Sequence, residues 1–336
     1  MPSNLQEVAK LSGVSRSTVS RVVNNDPNVK DETRERVEAI MRQLNYQPNA
    51  AARSLAAGRT RVLGLVIPMR VSSLFTDPYF PQLIQGVSSA CNALEYSVML
   101  WIAEPEYERR TARQVLSNGL VDGVIIASSQ LDDPVVNSLI ESSLPFILVG
   151  RLPEHPIVSY VDVDNIHSAA EAVMHLFRLG RRRVATITGP LNMIAGADRL
   201  EGYQQALHQR GLTVNHDLIA EGDFTEDGGY WAMQKLLSQN PDAVFVASDA
   251  MTQGAYRALR EAGRQVPQDI AVVGFDDMPF AARMSPALTT VRQPTIRVGA
   301  LAAETLIDMV SDEARQPRRL VLPTELVIRA SCGASY

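Results

Sequence analysis

Arg16, Ser17, Ser20 and Arg21 fall on one face of a short helix that the sequence predicts from Arg16 to about Val23, with Val19, Val22 and Val23 turned inward. A guanidinium can take a guanine edge in two parallel hydrogen bonds in the major groove of DNA, and a serine hydroxyl makes a shorter, less selective contact there. This is the chemistry of recognition. Signs of catalysis are missing from the chain. The run Val62-Leu-Gly-Leu-Val-Ile-Pro-Met69 lacks the spaced glycines of a dinucleotide fingerprint, and no phosphate loop, Gly-x-Ser-x-Gly elbow or His-Glu-x-x-His occurs. Cys91 and Cys332 have no metal-ligand spacing and read as reduced thiols, and the 5 histidines are scattered. No metal or cofactor is expected.

The elements that must hold the basic face follow from the neighbouring residues. Leu5, Val8, Ala9 and Leu11 form an apolar stripe at helical spacing, and Gly13 marks the stop, because glycine enters the left-handed region cheaply. Ser15 is placed to cap the second helix, and a third, about Asp31 to Leu44, buries Val37, Ile40, Met41 and Leu44. On pattern alone this is either a helix-turn-helix or a three-helix bundle with a solvated basic face. Charge bears on the choice. Residues 1–61 hold ten basic side chains against six acidic ones, a net of +4, so the overall −5 leaves −9 for the rest. A basic head on an acidic body suits a small phosphate-binding module joined to a larger one that should not adhere to DNA.

From Arg61 onward, short apolar runs alternate with amphipathic stretches. Strands are expected at Val62–Ile67, Val98–Ile102, Gly123–Ala127, Phe146–Val149, Val184–Thr188, Ala243–Ala247 and Ile270–Phe275. Helices are expected at Gln82–Leu94, Ser168–Leu179, Arg199–Arg210, Gly229–Leu237 and Thr252–Ala262. Fully apolar strands alternating with helices imply parallel sheets covered on both faces, an α/β architecture whose ligands bind beyond the C-terminal strand ends. Trp101 and Trp231 are expected to be packing residues, and Asp249 to cap a helix beginning near Met251. With 46% hydrophobic and 21% charged residues in 336, the chain has material for two or three soluble domains. Neither a secretory signal nor a membrane-length apolar run is visible, so a cytoplasmic protein is expected.

The run from Leu5 to Asn24 (LQEVAKLSGVSRSTVSRVVN), together with Glu32–Val37 and Asn45–Leu55, closely resembles the DNA-binding head of the lac repressor (LacI) family. The resemblance settles the choice for the helix-turn-helix. It implies that Arg16 and Ser17 select operator bases, that Arg21 reads guanine, and that Asn4, Thr18, Asn24, Thr33 and Tyr46 contact mostly the DNA backbone. Leu5, Ser15 and Ser20 complete the head's expected DNA surface. Pro48 to Leu55 resembles the family's hinge helix, in which Asn49, Ala52 and Arg53 would face DNA and Leu55 would wedge into the minor groove at the central base step. Double-stranded operator DNA is the partner implied.

The body is similar to the family's periplasmic-binding-protein-like core. The matching segments include Thr76–Phe80, Asp122–Ile126, Tyr160–Asn165, Ile187–Pro190, Arg199–Tyr203, Gly222–Phe224, Ser248–Asp249, Val273–Asp277 and Leu288–Val291. The resemblance implies a head (1–46), a hinge and linker (47–60), a first lobe (61–161 and 292–322) and a second lobe (162–291 and 323–331), with chain crossings near Asp162, Val291 and Pro323. A sugar in the cleft needs planar polar groups for its hydroxyls and an aromatic face for its C–H side. The resemblance gives Arg199, Asp276 and Ser248 the first task and Phe224 the second. Tyr79 and Phe80 would form another wall, with Ser128 and Arg151 beyond strand ends.

Many relatives carry an aspartate where this chain has Gly150 followed by Arg151, so a different hydroxyl or an acidic group could be held there. The run Thr188–Arg199 looks most like relatives that sense plant-derived glucosides or oligosaccharides. A homodimer is implied, and the absence of a terminal leucine heptad speaks against a lac-type tetramer. A solute-binding protein would share the body without residues 1–55, a sugar-processing enzyme would need catalytic carboxylates, and an architectural DNA-binding protein would have no use for the cleft. The expected function is a sugar-responsive repressor of carbohydrate-utilisation genes.

Overall fold

The computed structural model describes residues 5–24, 26–46, 59–68, 74, 77–102, 119–127, 131, 133–155, 157–311 and 316–334. They divide into two compact units, Met1–Arg61 and Val62–Tyr336. The first is helical: α1 (Leu5–Ser12), α2 (Arg16–Val23) and α3 (Asp31–Gln43) close over Val8, Ala9, Val19, Val22 and Val37. Gly13 has φ +67, the left-handed turn its position calls for, and Ser15 caps α2 by accepting the Thr18 amide at 3.1 Å. Leu11 departs from the expected stripe and is 54% exposed. Its place in the turn is taken by Ser12, which is buried and gives its hydroxyl to the Val8 carbonyl at 2.6 Å.

The second unit is built on two six-stranded sheets. The first sheet comprises β1 (Val62–Ile67), β2 (Ser97–Ile102), β3 (Gly123–Ala127), β4 (Phe146–Val149), β5 (Tyr160–Val163) and β11 (Arg319–Leu322), in the order β11-β5-β4-β3-β1-β2, all parallel. The second comprises β6 (Val184–Thr188), β7 (Ile219–Glu221), β8 (Ala243–Val246), β9 (Ala271–Asp276), β10 (Thr289–Arg292) and β12 (Glu325–Val327), in the order β12-β10-β9-β8-β6-β7. Only the β10–β12 pairing there is antiparallel. Strands such as β3, β6 and β8 are buried along their whole length, because helices cover both faces. Those described are α4 (Tyr79–Ala93), α5 (Pro134–Ile140), α6 (Asn165–Arg178), α7 (Ile194–Gln209), α8 (Glu226–Leu237), α9 (Asp249–Glu261) and α10 (Thr295–Ser311).

Five of these helices begin three to five residues before the periodicity suggests. For three of them the reason is capping. Asp164, Thr225 and Ser248 accept amides of His167, Gly228 and Met251, so the first turn carries polar residues and the apolar stripe starts a turn late. Helix α10 escapes an amphipathic search because it is apolar on most faces, burying Val298, Ala302, Ala303, Leu306, Ile307 and Met309. Trp101 packs half-buried against β1 beside Gly64, whereas Trp231 is 69% exposed on α8, contrary to the expectation of packing.

The chain passes between the sheets three times: after β5 into α6, after β10 into α10, and from β11 to β12. Asp162 and Val163 still pair with β11, and Val291 and Arg292 with β9, so these passages fall at Asp164, Gln293–Pro294 and Pro323–Thr324. Ser168 and Thr324 tie two of them together by a 2.6 Å hydroxyl contact.

Helices α4 and α10 cross so closely that a Cβ at Gly86 would sit 2.0 Å from the Ile296 carbonyl oxygen, and one at Gly299 2.3 Å from that of Leu83. This crossing fixes α4, whose first residue, Tyr79, heads toward the strand ends. Gly86→Ala is expected to destabilise the unit by about 1–3 kcal/mol through overpacking. A thermal melt indistinguishable from wild type would refute so tight a contact.

Candidate functional site

Two surfaces carry the recognition chemistry, one in each unit. On the head, Arg16, Ser17 and Arg21 project from α2 into solvent, while Ser20 is half-buried. The Ser15 hydroxyl lies 2.7 Å from that of Ser17 and 2.8 Å from that of Thr18, so three hydroxyls gather at the electropositive start of α2. Arg21 meets Asp26 only at 3.9 Å with its side chain 66% exposed, which leaves the guanidinium available for another partner. Asn24 is exposed and Thr33 half-exposed. Leu5 and Tyr46 lean on the head's core. The expected DNA contacts Asn4, Asn49, Ala52, Arg53 and Leu55, and Ser128 of the expected effector site, lie outside the described residues.

In the larger unit, side chains from both lobes converge beyond the C-terminal strand ends. Arg199, on the first turns of α7, is 5% exposed and lies over the Phe275 ring, 3.7 Å from its centroid. Its Nε donates to Asn165 Oδ1 at 2.9 Å and its Nη1 to the Ala247 carbonyl at 2.5 Å, and Nη1 meets Asp276 Oδ1 at 3.5 Å. The helix neighbour Glu201 is not its partner; that residue accepts from Gln205. Asp276 ends β9 with φ +119 and accepts Gln293 Nε2 at 2.5 Å. Burial holds its pKa above the usual carboxylate range; the Arg199 charge opposes this and that of Asp77 adds to it. From the other lobe come Asp77, which accepts the Tyr79 amide at 3.0 Å, and Tyr79 itself. Burial raises the Tyr79 phenol, as do the carboxylates of Asp276, Asp162 and Asp77, while Arg199 opposes them. One guanidinium, one phenol and a set of carboxylates thus face one space.

Arg151 follows β4 and reaches across to α7, where both its Nη atoms engage the two Asp198 oxygens, Nη2 at 2.8 Å. Its Nη1 also lies 3.5 Å from Asp162. Burial raises Asp162 to about 6 against the pull of the Val163 amide and of Arg151.

Phe224 has φ +62 and sets its ring on Gly189, where a Cβ would come within 2.1 Å of it, with the Arg199 guanidinium 6.0 Å from the ring centroid. Ser248 is buried at the start of α9 with its oxygen committed to the Met251 amide, and Phe80 is buried in the first lobe's core rather than lining the space. Asp249 does not cap its own helix. It is buried and accepts the Met278 amide at 2.8 Å and the Thr290 hydroxyl at 2.7 Å, tying β9's exit to β10.

Asp77, Asp162, Asn165, Asp198 and Gln293 are members of the site to which no role was assigned from the sequence. Asp77, Asp162, Asn165 and Asp198 stand within segments that carry a family resemblance, whereas Gln293 gives no local signal of its role. Among the described residues, no group of three or more His, Cys, Asp or Glu is placed to hold a metal ion. No described helix is long and apolar enough to cross a membrane.

Residues 4–49 match the bacterial regulatory proteins of the lacI family, and residues 173–332 match the periplasmic binding protein-like domain. The chain is 42% identical over 332 residues to the HTH-type transcriptional regulator CelR of Thermobifida fusca, covering 97% of each. It is 35% identical to the ribose operon repressor of Escherichia coli, covering 98% of this chain and 99% of that one. Among solved structures, the CelR–cellobiose complex superposes with a TM-score of 0.78 at 40% identity, covering 98% of this chain and 99% of that one. The lac repressor dimer bound to operator and the anti-inducer ONPF superposes at 0.87 and 29% identity, covering 99% and 100%. A helix-turn-helix head and a two-sheet core that match over nearly their whole length leave one assignment: the chain belongs to the lacI family of bacterial regulatory proteins.

Proposed function

We propose that this protein is a dimeric, cytoplasmic repressor that holds a pseudo-palindromic operator through Arg16, Ser17 and Arg21 and releases it when a sugar enters the cleft. The observation that carries the reading is the convergence of Arg199, Asp276, Asp77 and Tyr79 from two lobes on one space. The Arg199–Asp276 pair offers a fixed donor beside a fixed acceptor, the arrangement that two adjacent sugar hydroxyls satisfy. Phe224 supplies an apolar face for the ring's C–H side, and Tyr79 comes to the same site from the first lobe. Phe80 is buried in the first lobe's core, while Ser248, which caps α9, and Arg151, which holds Asp198, frame the site. A glucoside disaccharide is the favoured effector class, in keeping with the cellobiose bound by the CelR relative.

The mechanism is one of differential affinity. A ligand that touches both lobes favours one relation between them, and it weakens operator binding only to the extent that it binds that state more tightly. The three passages between the sheets are where such a change must be absorbed. Gln293, Asp162 and Asn165 sit at two of them and touch the site directly. An enzyme acting on the same sugar is disfavoured, because Asp276 and Asp162 are tied by Gln293, the Val163 amide and Arg151 rather than flanking an open bond.

Selection of random duplex DNA by the purified protein, with and without cellobiose, maltose, ribose and glucose, tests the whole reading. A pseudo-palindrome enriched without sugar and lost with one of them is expected. Enrichment indifferent to all of them would overturn the sugar effector while keeping the DNA contact. Arg21→Ala should weaken operator binding by about 1–3 kcal/mol and relax selection at one base position, read in the same assay. Unchanged selectivity would remove Arg21 from the reading face. Because burial raises Asp276, its ionised, accepting form is lost as pH falls through its elevated pKa, so sugar affinity should weaken between about pH 8 and about pH 6. Titration calorimetry should find in Asp276→Asn a lower affinity that changes less between about pH 8 and about pH 7 than in wild type; a wild-type affinity flat over that range would remove Asp276 as the acceptor.

A further inference from the structure

Arg151 stands where an acidic ligand would meet its cation, yet its guanidinium is already taken. Both Nη atoms bind the Asp198 carboxylate in a forked pair, the strongest geometry available to an arginine and a carboxylate. The partners come from opposite lobes: Arg151 follows β4, and Asp198 lies on α7, one residue before Arg199. Asp162 flanks the same guanidinium at 3.5 Å. The second cation, Arg199, is likewise held, by Asn165, the Ala247 carbonyl and Asp276. Counting the described charged groups gathered here, Asp77, Asp162, Asp198 and Asp276 stand against Arg151 and Arg199, with Asp249 buried behind Asp276.

We infer that the cleft is built for an uncharged sugar, and that Asp198, by holding Arg151 from the opposite lobe, is the residue that turns acidic and phosphorylated sugars away. The inference rests on the sugar-effector reading above and adds the ligand's charge to it. An anion entering the cleft meets two cations, Arg151 and Arg199, each already paired with a buried carboxylate. To take the forked edge of Arg151 it must displace Asp198, which is 5% exposed, and strand it without its partner. Leaving a buried charge unpaired is among the costliest changes a site can suffer. Burial already raises the Asp162 and Asp198 carboxyls, and another negative charge nearby would raise them further, at a cost to binding of the anion. The pair also spans the lobes beside a second link, the Leu131 amide to the Asn192 carbonyl at 2.8 Å, so a ligand that opened it would loosen the closure that brings Tyr79 opposite Arg199. Rejection by an occupied cation is specificity by repulsion, and it requires no contact between Asp198 and the sugar.

Calorimetric titration of the full chain with matched pairs tests this: cellobiose against cellobionate, maltose against maltobionate, and ribose against ribose 5-phosphate. In wild type, the neutral member of the pair that binds should exceed its anionic partner by at least about hundredfold in affinity. Asp198→Asn keeps the shape and frees Arg151, so it should narrow that ratio by at least about tenfold through a gain for the anion. Adding Arg151→Gln should abolish the gain. Anion and neutral sugar binding within about threefold in wild type would overturn the inference while leaving the sugar-effector reading in place. A ratio unchanged in Asp198→Asn, with both members weakened alike, would reduce Asp198 to a structural clasp and refute its role in selection. Failure of every neutral sugar to bind, in a protein that still binds operator, would sink the effector reading and this inference with it.

Discussion

A guanidinium taken out of water must be paired, and Arg199 is the place where that requirement organises the rest of the larger unit. The side chain is almost wholly buried, so each of its donors needs an acceptor, and the acceptors come from separate parts of the chain. Asn165 opens α6 directly after the first passage between the sheets, Ala247 follows β8, and Asp276 ends β9. Asp276 in turn is held by Gln293, at the second passage. Phe275 beneath the guanidinium fixes its plane. Satisfying one side chain therefore pins two crossings and two strand ends to a single point in the cleft.

The same point explains how a small ligand could influence a large molecule. Some residues that touch the site are also residues at which the chain changes lobe, so a shift in Gln293 or Asn165 is a shift at a hinge. Among the described contacts between the lobes, some are polar and discrete. The Arg151–Asp198 fork and the Leu131–Asn192 backbone bond can be made or broken as units, whereas apolar cores on the sheets resist gradual deformation. Glycines at the α4–α10 crossing let the helix bearing Tyr79 pack closely on α10 within the first lobe.

Much of this was legible in the chain. Gly13, Ser15 and the valines of α2 specify a helix-turn-helix locally, because a left-handed turn, a cap and an apolar face are each set within a few residues. Fully apolar runs gave strands such as β1, β3 and β4 with their observed bounds, since burial on both faces leaves no polar position within them. Helix starts were placed late where capping residues hid the first turn. Trp231 shows the opposite limit: an aromatic residue on an amphipathic helix lies on the solvent side, and periodicity does not say which flank of a stripe packs.

The sequence by itself determined the basic recognition face, the alternating strand–helix order and the charge contrast between head and body, all of which depend on residues near one another. Tertiary structure alone decided which charged groups meet. Arg151 and Asp198 are 47 residues apart, and Arg199 and Asp276 stand on different elements. Sequence could mark Arg151 as a cation in an unusual place, but whether it greets a ligand or a neighbouring lobe depends on how two separately folded sheets close on each other. Phe80, placed in the cleft by its position, serves a core, and the Ser248 hydroxyl also serves a helix cap. Side-chain direction at a strand end or helix start is set by packing partners distant in the chain, and those partners exist only once the chain has folded.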